Sequence, residues 1–191
     1  MKNKRIFLPK YSIFLILILF VSTMLTLFWD KFYNIVLLRP TDLHDPKNWY
    51  RFLTYPLYIN GLRTWLIVSI SLFFFGGIIE KRLSSKFIIT LIFFSTLFGG
   101  LIYAIINQEH TIPLPMGTAH MISWGYWASA IVIGLKFRKE LNLIEKILLS
   151  LSFVGVFFIS RDNLGFFIAS LSVIVSIILI TLLIKNKNWV Q

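Results

Sequence analysis

Cysteine is missing altogether from this sequence, so neither disulfides nor thiol chemistry can operate, and no redox compartment can be inferred. Acidic side chains are scarce: eight Asp and Glu stand against nineteen Lys and Arg, giving a formal net charge of +11. No glycine-rich phosphate loop follows a strand pattern and no dinucleotide fingerprint occurs, which removes the usual nucleotide chemistry. Paired metal-ligand spacings such as H-x-x-x-H or H-E-x-x-H are missing too. His44, His110 and His120 could all lie toward the outer face, with Asp42, Asp45 and Glu109 near two of them, but none has such a spacing. No metal and no other cofactor is expected. The apolar runs hold almost no ionisable group besides His120, so nothing marks an ion path and a transport role has no support.

What fills the chain is hydrocarbon. Of the 191 residues 57% are hydrophobic and only 14% charged, with a mean hydropathy of +0.79. A soluble domain of this length could not hide so much apolar surface in one core. The alternative for a basic chain, a soluble partner of nucleic acid or other acidic molecules, fails on where the charges lie. They sit between apolar runs, the pattern of a polytopic membrane protein. Nucleic acid is therefore not an expected partner, and membrane lipid is.

Six spans are expected, over about 13–29, 65–79, 87–106, 117–135, 144–159 and 164–184, within a single domain covering 1–191. Some are nearer fifteen residues than twenty and need tilt or helical extension. The breaks "EKRLSSK", "NQEHTIPLP", "KFRKE" and "SRDN" separate them sharply. The first run has the length of a span and lacks a small-x-small cleavage site before Asp30, which argues against a cleaved signal peptide.

Orientation follows from counting Lys and Arg on alternate sides. One side takes thirteen: Lys2, Lys4, Arg5, Lys10, Lys81, Arg82, Lys86, Lys136, Arg138, Lys139, Lys146, Lys185 and Lys187. The other takes six, namely Lys31, Arg39, Lys47, Arg51, Arg63 and Arg161. Both termini are thus expected in the cytoplasm, with 30–63 outside and the cell's inner membrane as the location. That outer segment carries Pro40, Pro46 and Pro56 among Trp49, Tyr50, Phe52, Tyr55 and Tyr58. It is too apolar for a free linker and too interrupted to span, and suits an element resting at the lipid interface. An ordinary ordered loop with an aromatic belt is the plainer alternative.

From Trp49 onward the sequence resembles the rhomboid family, the six-helix intramembrane serine proteases. The family pattern W-x-R-x-x-T, followed after fixed spacing by F-G-x-x-x-E, is met in "WYRFLTYPLYINGLRTWLIVSISLFFFGGIIE" by Trp49, Arg51, Thr54, Phe75, Gly76 and Glu80. With the later helices, the likeness extends over nearly the whole chain. It implies an all-α six-helix bundle with an interfacial first outer loop. For Glu80 it leaves a structural part, its charge shared with Lys81 and Arg82, and for Arg51 a hold on backbone carbonyls or lipid phosphate.

The same register exposes the departures. The family's oxyanion donors, an asparagine and a histidine, fall on Val68 and Thr64, and an earlier histidine falls on Ile59. Loss of one such donor typically costs about 10²–10³ in rate. The G-x-S-G motif of the nucleophile aligns with "GTAH": Gly117 is kept, the serine position is Ala119, and His120 replaces the second glycine. The family's general base falls on Asn163, in "NLGFFIAS". Gly165, Ala169, Ser172 and Ser176 keep a small-residue stripe there, open to close approach by another helix.

The resemblance therefore implies a pseudoprotease that binds transmembrane helices of client proteins without cutting them, around a cavity lined by Thr64, Val68, Gly117, His120 and Asn163. The alternative is an active intramembrane serine endopeptidase with a rearranged site. Ser123 and His120, at i and i+3, share one helical face and would be its nucleophile and base. The plainer expectation for Ser123 is a hydrogen bond back to its own helix, and His120 could instead sense a ligand or a proton. A purely structural membrane subunit is a third possibility. The sequence leaves the oligomeric state open.

Overall fold

A computed structural model describes residues 8–107 and 120–159, together with 178 and 181. Every regular element among them is helical. Helix α1 covers Lys10–Phe28, α2 Asp30–Val36, α3 Arg51–Thr54, α4 Gly61–Glu80, α5 Ser85–Ile106, α6 His120–Lys136 and α7 Leu143–Ile159. Short 3₁₀ turns at Pro40–His44, Pro46–Asn48 and Tyr55–Leu57 complete the stretch between α2 and α4.

Helices α1, α4 and α5 are each long and apolar enough to cross a membrane, with mean hydropathies of 2.4, 1.9 and 2.2. At 1.5 Å per residue they span about 28–33 Å, the thickness of a bilayer's hydrocarbon core. Their outward faces carry Phe14, Leu17, Leu66, Ile70, Phe73, Ile89 and Phe93, all exposed. Apolar surface on that scale needs lipid around it, and the chain is a membrane protein. Five of the six expected apolar runs lie on helices where they are described, the fourth from residue 120 onward. The ends differ by up to four residues: α1 begins at Lys10 where 13 was expected, and α4 at Gly61 where 65 was expected. The run 164–184 lies outside the described residues, save that 178 and 181 are helical.

The early start of α1 has a polar cause. Pro9 precedes the helix and its side chain accepts nothing. The carboxylate of Glu80, at the far end of α4, takes over: it accepts the N–H of Tyr11 at 3.1 Å and the N–H of Ser12 at 2.7 Å. A negative charge there also meets the positive end of the helix dipole. At the other end of this antiparallel pair, the Ser22 hydroxyl donates to the carbonyl of Leu57, and Trp65 Nε1 donates to that of Ile16 at 3.3 Å. Helix α4 itself starts on Gly61, whose φ of +83° is left-handed backbone that a side chain would strain.

Helix α6 packs on α4, α5 and α7, using a close approach on each side. Gly76 of α4 lets in both α1 and α6: a Cβ there would lie 1.9 Å from Ser12 Oγ and 3.4 Å from the Tyr126 ring. Gly125 of α6 receives Ser95 of α5, and Gly134 of α6 receives Leu149 of α7. Around these contacts lies one apolar core that includes Leu19, Val68, Leu72, Phe87, Ile122 and Ile133. Gly77, by contrast, faces open space, so only Gly76 of that pair is a packing position.

The segment between α2 and α4 is folded onto the second half of α5. Leu38, Phe52 and Tyr55 pack there against Tyr103 and Ala104, and the absence of a side chain at Gly100 gives them room. Tyr55 is fully buried and its hydroxyl donates to the carbonyl of Thr96 at 3.0 Å. Burial pushes that hydroxyl far above the ordinary tyrosine range, so it remains a donor at any accessible pH.

Candidate functional site

The residues singled out in the sequence form two groups, one around the start of α6 and one running from Trp49 to Glu80.

In the first group, Gly117, Ala119 and Asn163 lie outside the described residues. His120 is the first residue of α6, and its side chain is likewise outside them. Facing positions on α4 are described. Val68 is fully buried, with Leu72, Ile122 and Tyr126 in the same apolar cluster. Thr64, one turn earlier, is half-buried. Ile59, in the last turn before α4, is fully buried as well. At these three positions the structure thus offers one neutral hydroxyl, at Thr64, and hydrocarbon at Val68 and Ile59.

Ser123 departs from the expected hydrogen bond to its own helix. Its Oγ is buried and has no partner among the described residues. The neighbouring hydroxyl on the same helix, Ser129, does back-bond, donating to Gly125 O at 2.7 Å. An unpartnered buried hydroxyl costs about 1–3 kcal/mol, so a helix retains one only where nearby space or another group compensates. As a nucleophile, however, Ser123 has no base in hydrogen-bond reach among the described residues, and its oxygen is closed off from solvent.

The second group is well tied together. Asp42, buried in the turn after Arg39, accepts the N–H of Arg39 at 2.8 Å and pairs with Arg51 at 2.9 Å. Arg51 also donates to the carbonyl of Asn34 at 3.2 Å and lies 5.8 Å from the centre of the Tyr50 ring. Its hold on a backbone carbonyl matches expectation; its carboxylate partner was not foreseen. Trp49 Nε1 donates to Leu43 O at 3.2 Å, and the Thr54 hydroxyl donates to Tyr50 O at 3.3 Å. Trp49, Tyr50 and Leu53 remain exposed on the outside of this knot. Asp42 could have been found from sequence, since "RPTD" places an acid three residues after Arg39 beside a helix-starting proline.

Glu80 is the clearest correction. Its carboxylate is spent on the start of α1, a partner the sequence did not suggest, where the Ser12 hydroxyl adds a third bond at 2.6 Å. The Tyr126 ring packs at Gly76 beside Ser12, and its buried hydroxyl has no hydrogen-bond partner among the described residues. Lys81 and Arg82 go instead to Glu145 of α7, at 2.7 and 3.0 Å. Arg82, buried, donates further to the carbonyls of Ile78 and Glu140. Glu145 at once completes a capping box: Asn142 Oδ1 accepts the N–H of Glu145, and Glu145 accepts the N–H of Asn142. The sequence signal was present as N-x-x-E before an apolar run, and it was overlooked.

Among the described residues, no three His, Asp or Glu side chains gather as a metal would need. No family model matches the chain, and no curated protein matches it either.

Proposed function

We propose that this membrane protein is a six-span, rhomboid-like pseudoprotease that binds transmembrane helices of client proteins and leaves them uncut. Its termini lie in the cytoplasm, in this reading, on the thirteen-to-six distribution of Lys and Arg, and the membrane is taken as the cell's inner one. The observation that carries it is a paired loss. Where the resemblance puts a nucleophile and a base, this chain has Ala119 and Asn163, while Trp49, Arg51, Thr54, Phe75, Gly76 and Glu80 remain. A methyl group cannot add to a carbonyl, and an amide cannot accept a proton near neutrality. The burial of Val68 in hydrocarbon supports the same reading, since an oxyanion there would have no donor from that position. Binding a helix asks less: a lateral groove, small residues for close approach, and a few polar groups.

One observation favours the second reading, an intramembrane serine endopeptidase acting through Ser123 and His120. The Ser123 hydroxyl has no hydrogen-bond partner among the described residues, as a hydroxyl waiting for a base would require.

The protein, reconstituted with reporters whose transmembrane segments contain a helix breaker, separates the two. Uncut reporter that co-purifies, with no labelling by a fluorophosphonate, is the expected result. Cleavage lost on both Ser123→Ala and His120→Ala, with label mapped to Ser123, would replace the pseudoprotease by the enzyme.

A further inference from the structure

The basic end of the bundle holds a feature that the client-binding reading does not use. Between α6 and α7 lies a groove of about 200 Å³, walled by Ile131, Leu141 and Leu149 and floored at Gly134. Arg138 and Lys146 stand at its mouth, both exposed. Their neighbours are differently placed: Lys81 and Arg82 are matched by Glu145, and Lys136 lies 5.6 Å from the centre of the Phe137 ring. Among the described residues, neither Arg138 nor Lys146 has an ion pair, although Glu140 is in the same turn. A mostly apolar groove thus lies beside two positive charges that have no ion pair among the described residues.

We infer that this groove holds an acyl chain of an acidic phospholipid, with the lipid phosphate between Arg138 and Lys146. Size excludes a client helix, whose diameter with side chains is about 10–12 Å. Chemistry disfavours a free anion, which would sit over hydrocarbon with no polar floor. Within a bilayer the acyl chain gains little by leaving other chains, so selection falls on the headgroup. Each Lys or Arg near an anionic surface is worth about fivefold in binding, so the pair gives up to about 25-fold preference for an acidic over a zwitterionic lipid. The inference rests on the membrane placement of α6 and α7 and is independent of whether clients are bound or cut.

Native mass spectrometry of the full chain, taken from micelles doped with equal dioleoyl phosphatidylglycerol and dioleoyl phosphatidylcholine, tests it. One phosphatidylglycerol retained about tenfold over phosphatidylcholine is expected. Arg138→Gln with Lys146→Gln should remove most of that preference, while Lys10→Gln with Lys86→Gln, at the same end but away from the groove, should keep it. Ser150→Phe, which fills the groove without changing charge, should also reduce retention, because it keeps the chain from seating where its phosphate meets both cations. Equal losses from the two cation pairs would overturn the proposal in favour of diffuse attraction. Unchanged retention in Ser150→Phe, or binding of inorganic phosphate at the same residues without lipid, would overturn it as well.

Discussion

The carboxylate of Glu80 accepts both the backbone N–H and the hydroxyl of Ser12, at 2.7 and 2.6 Å, across 68 residues of sequence. The groups that the carboxylate accepts from there are the first backbone N–H groups of α1 and the Ser12 hydroxyl. The bond also explains why Gly76 must be glycine, because the Ser12 side chain occupies the space where a Cβ would stand.

Removal of the acceptor should therefore loosen α1 from α4. Glu80→Ala deletes three charge-assisted bonds, each worth about 1.5–3 kcal/mol at most, and should destabilise strongly. Ser12→Ala deletes only the hydroxyl contact and should cost about 1–2 kcal/mol. Thermal unfolding in detergent ranks the two, and limited proteolysis near residue 10 should increase in Glu80→Ala alone.

Adjacent glycines should behave oppositely. Gly76→Ala brings a methyl within 1.9 Å of Ser12 Oγ and should cost about 1–3 kcal/mol through displacement of α1. Gly77→Ala meets nothing within 4 Å and should stabilise α4 by about 0.5–1 kcal/mol from helix propensity. A destabilised Gly77→Ala in the same thermal assay would contradict the packing described.

At the α4–α5 turn the two cations are unequal. The Arg82 side chain is 8% exposed and that of Lys81 34%. Glu145→Ala strands Arg82 without its carboxylate and removes half of a capping box, an expected loss of about 3–5 kcal/mol. Lys81→Ala should cost under about 1 kcal/mol. A double-mutant cycle over Arg82 and Glu145 gives the coupling directly.

Tyr55→Phe removes one buried donor and leaves the Thr96 carbonyl short of a partner, with an expected cost of about 1–2 kcal/mol. Because the hydroxyl stays protonated throughout, that difference should be flat from pH 5 to pH 9 in matched unfolding curves.

The helices were legible because lipid imposes a simple rule: long apolar runs between charged breaks. Their ends were not, since distant partners set them. Near Lys10 only Pro9 announces a helix start, and the acceptor that holds the first free N–H groups lies on α4. Local polar motifs were readable in principle, as Asn142 with Glu145 and Arg39 with Asp42 illustrate. Ser123 shows another kind of gap: back-bonding is a tendency of serines in apolar helices, and Ser129 follows it while Ser123 has no partner among the described residues.

The cap on α1 also has a temporal side. The ribosome finishes α1 well before it reaches Glu80, so the first span to enter the lipid does so with bare amides at its basic end. Water and headgroups must hold them until the second long helix arrives. A nascent chain halted before residue 80 should thus keep its leading span exposed at that edge, and one released just beyond it should lock. The carboxylate works as a latch that is delivered late, and its arrival marks the moment when two separately inserted helices become one unit.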